Sequence, residues 1–201
     1  YITYEQENEN LKLDNGNYFS IDLGLNNFAS CFSNIGHSFI VNGKPLKAYN
    51  QFYNKTKAKI QSELKTKNDR NWSKRLSVIT YKRERFIDNF LNQTIAFIVK
   101  EALSLGINTI VCGYNQSWKQ EINLGKRTNQ NFVQIPFYKF KQKLQSKCEK
   151  EGLNFVLHEE SYTSKCSFLD NETVAKHENY KGKRIKRGLF KTANNVLCNA
   201  D

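Results

Sequence analysis

The 201-residue sequence contains no methionine and starts at Tyr1, so we expect it to be a fragment or a trimmed chain. It also lacks any apolar run near the roughly 20 residues that a transmembrane helix requires. No signal peptide is visible. We therefore expect no membrane partner.

Disulfide scaffolds are also excluded by what is missing. The five cysteines are odd in number and widely scattered, at Cys31, Cys112, Cys148, Cys166 and Cys198. This usage is typical of a reducing, intracellular setting. Low-complexity segments and internal repeats are absent as well.

Acidic residues are scarce, with 19 Asp and Glu against 31 Lys and Arg and a net charge of +12. Hydrophobic residues make up 39% of the chain and aromatic residues 13%, which is enough for a real core and excludes wholesale disorder. A basic, intracellular, folded chain favours a polyanionic partner, first of all nucleic acid. The alternative is that the charge only maintains solubility.

Hydrophobic patterning predicts an α/β fold with a mixed sheet. Short strands with tight turns are expected over 18–25, 28–32 and 38–41, followed by two basic helices broken near 68–71. Buried strands are expected at 108–113 and 153–158, with a helix from Pro136 to Gly152 between them. The order is therefore three strands, helix, strand, helix and strand.

Asp22 interrupts the first apolar strand just before Gly24. A carboxylate inside such a strand is costly unless it is paired or bound to a metal. Either Asp22 caps the following turn, or it serves chemistry at the centre of the sheet. Ribonuclease H-like nucleases and actin/Hsp70-like ATPases both place an aspartate here. The chain lacks the second phosphate loop and the Gly-Gly adenosine loop of those ATPases, which leaves them a remote alternative.

Four motifs in order resemble the TnpB/OrfB family, which are transposon-encoded RNA-guided nucleases with a RuvC-like domain related to type V CRISPR effectors. They are SIDLGLNN at 20–27, NLGKR at 123–127 with NQNF and IP after it, EESYTSKCS at 159–167, and NAD at 199–201. The resemblance implies a ribonuclease H-like (RuvC-like) mixed sheet with flanking helices. It also implies cleavage of DNA at two Mg²⁺ (or Mn²⁺) ions held by three carboxylates, with DNA and guide RNA as partners.

Asp22 and Asp201 match the first and third carboxylates of the resemblance, but Gly113 stands where the second is usual. Either the protein binds nucleic acid without cutting it, or Glu160 on the next strand supplies the missing acid, with Glu159 as the alternative. Strand alternation allows only one of the two to serve. Both could instead be solvated acids at a strand end.

The family's zinc ribbon is degenerate here, because Cys166 starts no Cys-x-x-Cys pair and only Cys198 and a distant His177 remain. Zinc is therefore unlikely by our prediction. We expect packing to hold this insert together instead, through Phe168, Leu169, Tyr180, Ile185, Leu189 and Phe190.

Basic residues near these motifs are candidates for nucleic-acid binding. They are Lys119, Lys126 and Arg127 after the fourth strand, and Lys183, Arg184, Lys186 and Arg187 in the insert. Trp72 and Trp118 lie close to cations and could stack on bases, or could only anchor helices to the core.

The resemblance implies four segments. Residues 1–16 would be the tail of an upstream wedge-type domain, and 17–160 the RuvC-like core with a basic helical segment at 44–105. Residues 161–198 would form the target-nucleic-acid-binding insert, and 199–201 would start the final RuvC helix. We expect the protein in the cytoplasm of a bacterial or archaeal cell, associated with the nucleoid, and expect the fragment alone to be inactive.

Overall fold

The computed structural model describes residues 10–114, 134–186 and 188–199. Within them the chain divides into two units. The first unit comprises residues 10–113 and 134–157, and the second comprises Tyr114 with residues 158–186 and 188–199. The predicted segment boundaries stay a prediction.

The first unit is built on a five-stranded mixed sheet. Its strands are β1 (Tyr18–Leu23), β2 (Asn27–Ser33), β3 (Ser38–Asn42), β4 (Thr109–Tyr114) and β5 (Asn154–Glu159). Their order is β3-β2-β1-β4-β5, with β2 antiparallel to β1 and β3, and β4 parallel to β1. The predicted ribonuclease H-like mixed sheet is confirmed.

Tight turns join the first three strands, and glycine serves the two turns for different reasons. A Cβ on Gly24 would lie 2.7 Å from the Asn27 carbonyl oxygen, so the turn after Asp22 closes only with glycine. Gly36 adopts a φ of +87° between β2 and β3, in the left-handed region that glycine tolerates best. These turns set the antiparallel register of β1, β2 and β3.

Among the described residues, three helices flank the sheet, α1 (Lys44–Asn68), α2 (Lys74–Ser104) and α3 (Phe137–Lys150). The predicted break lies where expected. Asp69 ends α1 with a left-handed φ of +47°, and the Ser73 side chain caps α2 by accepting a hydrogen bond from the Leu76 amide at 3.2 Å. The basic segment is therefore a helical hairpin.

The core lies between the helices and one face of the sheet. Phe19, Ile21 and Leu23 alternate inward from β1, and α2 and α3 supply Leu91, Ile98, Phe140 and Leu144 among others. Phe28 of β2 packs edge-on against Phe90 and Phe140 with ring centroids about 5 Å apart. This alternation leaves the even-numbered residues of β1 on the outer face.

The second unit contains a 3₁₀ turn (Phe168–Asp170) and a three-stranded antiparallel sheet of β6 (Lys183–Lys186), β7 (Leu189–Lys191) and β8 (Leu197–Asn199). The predicted apolar packing is wrong for three of its six residues, whereas Tyr180 and Leu189 are partly buried. Phe190 is buried, but Phe168 is 89% exposed and Leu169 and Ile185 are about half exposed. A unit this small has little interior in which apolar side chains can be buried. Two carboxylates organise its loops instead.

No helix among the described residues is long and apolar enough to cross a membrane.

Candidate active site and nucleic-acid interface

Asp22 lies on the outer face of the central strand β1, and its side chain is exposed. The expectation that burial makes this carboxylate costly was wrong, because strand alternation points Ile21 and Leu23 into the core and Asp22 away from it. An exposed carboxylate on the central strand is accessible to a cation and to a polymeric substrate. In the antiparallel pair of β1 and β2, Asp22 lies opposite Ser30.

Gly113 lies next to Asp22 in the sheet. β1 and β4 run parallel with Ile21 opposite Cys112, and one residue further on this register brings Asp22 level with Gly113. A side chain at residue 113 would therefore share the outer face with Asp22. Glycine thus supplies no carboxylate at the position where the resemblance implies the second one.

Glu160 directly follows β5. Its amide donates to the Tyr114 carbonyl oxygen at 3.0 Å, while the Asn154 amide at the start of β5 donates to the Asn108 carbonyl oxygen at 2.8 Å. The two hydrogen bonds join residues of β5 and β4 at the same sequence offset, so the two strands run parallel in a constant register. Alternation then places Val156, His158 and Glu160 on one side of β5. Phe155 on the opposite side packs against the core.

Glu159 has a local partner of its own. Its Oε1 accepts a hydrogen bond from the Ser161 hydroxyl at 2.7 Å, and Thr163 closes the turn by donating from its amide and its hydroxyl to the Glu160 carbonyl oxygen. Tyr162 in this turn has a left-handed φ of +67°. Asp22 belongs to the first unit and Glu160 to the second, so their joint role as metal ligands stays a prediction.

Several predicted site residues lie outside the described residues. They are Asp201, Lys119, Lys126, Arg127, Arg187 and Trp118. Among the residues that the structure does describe, no group of three or more His, Cys, Asp and Glu side chains is arranged to hold a metal ion. The three-carboxylate set of Asp22, Glu160 and Asp201 thus stays a prediction.

The cysteines of the predicted ribbon make polar contacts with the backbone. The sulfur of Cys166 lies 3.5 Å from the Ala175 carbonyl oxygen, and that of Cys198 lies 3.7 Å from the Phe190 carbonyl oxygen. His177 Nε2 lies 2.7 Å from the Thr173 carbonyl oxygen. The expectation that zinc plays no part in this insert stays a prediction.

The remaining cysteines serve packing. Burial raises the pKa of the Cys31 and Cys148 thiols to about 12, and both side chains lie in the hydrophobic core with Cys112. A thiol with so high a pKa stays protonated at neutral pH, whereas nucleophilic attack and metal binding need the thiolate. These two cysteines are therefore not catalytic groups.

Lys183, Arg184 and Lys186 lie together on β6, whose residues are all exposed. β6 is an edge strand of its sheet, and lysines on an edge also discourage unwanted strand pairing. Three of the four residues of this exposed strand are nevertheless cations, so β6 presents a high density of positive charge.

The sequence-based interpretation overlooked one residue and left the role of another open. His158 shares its side of β5 with Glu160, and only the alternation within Leu157-His158-Glu159-Glu160 could have indicated this. Trp72 is 67% exposed, so its reading as a core anchor was wrong. Burial of a single tryptophan in a turn depends on distant segments and has no local signature.

Comparison with known proteins identifies the family. Residues 1–119, more than half of the chain, match the family described as probable transposase, OrfB of IS605. No curated protein matches the chain.

Two solved structures share the fold. A chain of a Cas12f1–sgRNA–target DNA complex is 19% identical, with a TM-score of 0.64 over 94% of this chain and 48% of that one. A chain of a CRISPR-Cas12f ternary complex is 16% identical, with a TM-score of 0.66 over all of this chain and 39% of that one. The chain thus spans about half or less of these proteins. The family match and the shared fold agree, and the chain belongs to the OrfB family of probable IS605 transposases.

Proposed function

We propose that the chain is the RuvC-like nuclease part of a transposon-encoded, RNA-guided DNA endonuclease. One observation carries this proposal. Asp22 is exposed on the outer face of the central strand of a ribonuclease H-like sheet, directly beside the end of β4. The family match over residues 1–119 supports a role in transposition, and the neighbours' complexes with sgRNA and target DNA support guide RNA and DNA as partners.

The proposed metal ligands are Asp22, Glu160 and Asp201. Carboxylate oxygens are the hard ligands that Mg²⁺ and Mn²⁺ prefer, so this donor set fits such ions. When bound, two such ions activate the attacking water and stabilise the leaving oxygen of a phosphodiester. In this proposal the chain's own part is to present Asp22 on the rigid strand β1 and Glu160 at the end of β5. Buried residues on both sides of Asp22 hold that strand in place.

Alternation along β5 favours Glu160 over Glu159 as the second carboxylate. Val156 is exposed on the side of β5 opposite to the core-packed Phe155, and Glu160 is an even number of residues further on. Glu159 has the opposite phase.

Cations would guide the nucleic acid to this site. In the proposal, Lys119, Lys126 and Arg127 steer the DNA strand toward the metal ions, and Lys183, Arg184, Lys186 and Arg187 bind phosphates of the target. The protein would act in the cytoplasm, at the nucleoid, where its DNA substrate lies.

The test separates the two glutamates. The protein is expressed from its full reading frame, loaded with guide RNA, and cleavage of a labelled target duplex is measured in Mg²⁺ and Mn²⁺. Glu160→Gln is expected to reduce the cleavage rate by at least about a hundredfold with nearly unchanged DNA binding, because an amide cannot supply the anionic ligand. Glu159→Gln, the matched control one residue away, is expected to cleave at close to the wild-type rate.

A metal-binding measurement tests the same carboxylate ligands without relying on cleavage activity. Mn²⁺ binding, followed by electron paramagnetic resonance of free Mn²⁺, should weaken in Asp22→Asn and Glu160→Gln but not in Glu159→Gln. If Glu159→Gln shows the losses expected of Glu160→Gln and Glu160→Gln does not, Glu159 supplies the second carboxylate. The choice between the two glutamates is then wrong, but one of them still replaces the carboxylate that Gly113 lacks. Full cleavage activity in the variant that combines Glu159→Gln and Glu160→Gln would show that neither glutamate supplies the second carboxylate.

One observation favours a second candidate function. Gly113 occupies the place beside Asp22 where a carboxylate would complete the site, which is what a nuclease-dead RNA- and DNA-binding protein would show. Such a protein would bind guide RNA and target in the same assay and release no cleaved product in either metal.

A further inference from the structure

The hairpin of α1 and α2 continues beyond the hydrophobic core. Of α1 only Leu46 belongs to the core, and α2 contributes from Ile87 onward. The intervening residues, 51–86, include Tyr53, Ile60 and Leu76, which are buried but lie outside the core cluster. We call residues 51–86 the arm. Its helices bury these side chains against each other, so the arm is a structured element of its own.

Specific contacts fix the arm at its base. The rings of Tyr49 and Phe86 stack at 4.1 Å, and the guanidinium of Arg83 donates from Nε to Asn50 Oδ1 at 2.7 Å. Higher up, the hydroxyls of Tyr53 and Thr80 lie 3.1 Å apart. Packing and hydrogen bonds at successive turns keep two antiparallel helices in one register. The tip of the arm is therefore held at a defined position relative to the sheet.

The tip carries an exposed aromatic ring among cations. Trp72 is 67% exposed in the turn between the helices. It borders a cleft of about 680 Å³ that is also lined by Leu64, Arg70, Asn71, Ser73 and Lys74. A single exposed aromatic ring is common on protein surfaces, but a ring that borders a cleft lined by cations matches the surfaces that bind unpaired bases.

Positive charge is concentrated at the tip of the arm, and at the start of α2 it runs against the usual preference. The exposed cations are Lys65, Lys67, Arg70, Lys74 and Arg75, with Asp69 as the exposed acid among them. Lys74 and Arg75 lie in the first turn of α2, which contains no acid, although helix N-termini favour negative charge. Arg75 is paired with Glu63, with 3.8 Å between the guanidinium and the carboxylate, so the positive potential beside Trp72 comes from the helix end, Lys74 and Arg70. An anionic partner would relieve this repulsion.

From these observations we infer that the tip of the arm binds an unpaired nucleotide of folded RNA, with Trp72 stacked on its base and Arg70 and Lys74 on the flanking phosphates. This inference rests on the proposed function, since it identifies a contact with the guide RNA. Aromatic stacking accepts any base, and the cations add sequence-independent affinity. The arm thus contributes a fixed anchor rather than a sequence reader.

RNA fits the tip better than duplex DNA does. A ring can stack on a base only where that base is unpaired, and folded RNA presents such bases in loops, bulges and ends. The bases of a continuous DNA duplex are already stacked on each other. An acidic protein would satisfy the cations but would leave the stacking surface of Trp72 unused.

The test measures anisotropy of a fluorescein-labelled RNA hairpin with a four-nucleotide loop, bound to the 201-residue chain at fixed salt. Trp72→Ala is expected to weaken binding about tenfold, the usual effect of losing one stacking ring. Trp72→Phe should recover most of the affinity. Tyr138→Ala is the matched control because Tyr138 on α3 is equally exposed at 67% and lies outside the arm. Circular dichroism melts confirm that all variants fold.

A second measurement reports the contact directly. The chain has two tryptophans, so Trp118→Phe leaves Trp72 as the only indole reporter. Its fluorescence should be quenched by the hairpin RNA and far less by a DNA duplex of the same length. Equal quenching by both would overturn the choice of RNA. Retained hairpin affinity in Trp72→Ala, or an equal loss in Tyr138→Ala, would overturn the stacking role.

The outcomes also separate this inference from the function on which it rests. A wild-type chain that binds neither RNA nor DNA contradicts both. A wild-type chain that binds RNA with no dependence on Trp72 contradicts the arm alone and leaves the nuclease proposal intact.

Discussion

Two carboxylates hold the loops of the second unit together at the scale of single residues. Glu172, which is only 9% exposed, accepts hydrogen bonds from the amides of Ser167 at 2.6 Å and Lys181 at 2.8 Å. Asp170 accepts from the Ser167 hydroxyl and from the Ala193 amide at 2.9 Å. Hydrogen bonds from these backbone and hydroxyl donors lower the pKa of both carboxyl groups. Anionic side chains thus connect three separate chain segments.

The second unit should therefore lose stability in acid. A carboxyl group whose pKa is lowered by folding stabilises the fold above its unfolded value, near 4, and loses that contribution as the pH falls through the lowered value. We expect amide protection at Lys181, measured by hydrogen exchange and corrected for intrinsic rates, to be high at pH 7 and to drop below about pH 4.

A matched pair of variants checks this cause. Glu172→Gln should lower protection at Lys181 already at pH 7 and remove its pH dependence, while Asp170→Asn should do the same at Ala193. An unchanged pH profile at Lys181 in Glu172→Gln would contradict the assignment.

The helical hairpin of α1 and α2 illustrates how one side chain joins elements. The Arg83 guanidinium donates to Asn50 Oδ1 of α1 and, at 3.1 Å, to the Gln134 carbonyl oxygen ahead of α3. It also lies over the Tyr53 ring at 5.1 Å. Asn50 is 1% exposed, so its oxygen relies on Arg83 for a donor. Three segments meet at one guanidinium.

Removal of this guanidinium should destabilise the fold. Arg83→Met is expected to lower the free energy of unfolding by about 2 kcal/mol, because it leaves a buried amide oxygen without its charged donor. The measurement is urea denaturation followed by circular dichroism. Arg85→Met is the control, since Arg85 is exposed and bonds only to the Tyr81 hydroxyl among the described residues. Equal loss in both variants would assign the effect to helix propensity or net charge instead.

Positive charge is a property of the whole molecule, with a net value of +12. Each phosphate that a protein neutralises releases counterions, so affinity falls with salt in proportion to the number of contacts. The arm and β6 present their cations on exposed surfaces, in the first and the second unit respectively. Binding to nucleic acid should therefore be salt-sensitive irrespective of the base sequence.

Charge reversal on β6 measures how much the second unit contributes to the salt dependence of DNA binding. The triple variant Lys183→Glu, Arg184→Glu and Lys186→Glu should weaken DNA binding similarly for unrelated sequences and flatten the slope of log affinity against log salt by about 2 to 3. The control reverses the same number of exposed charges at Lys100, Lys150 and Lys176. If affinity of the wild type does not depend on salt, or if both variants have the same slope, β6 has no specific role in DNA binding and its cations are only solvated surface charges.

Local pattern was enough to predict the strands and helices of the first unit. Alternating apolar residues and the glycines at 24 and 36 indicated the first three strands, and the polar residues around Asp69 indicated the helix break. These signals act over a few residues, so they can be read from the sequence. The family resemblance likewise depended on short motifs, and the match over residues 1–119 confirms it.

Exposure and proximity were decided by the tertiary structure. Asp22 is exposed and level with Gly113 because β4, nearly ninety positions later in the chain, pairs with β1 in one particular register. Phe168 and Trp72 are exposed because no segment described by the structure buries them, although each looked like a packing residue. The apolar character of a side chain is a local property. Whether it is buried depends on which distant segments reach it, and that is settled only when the whole chain folds.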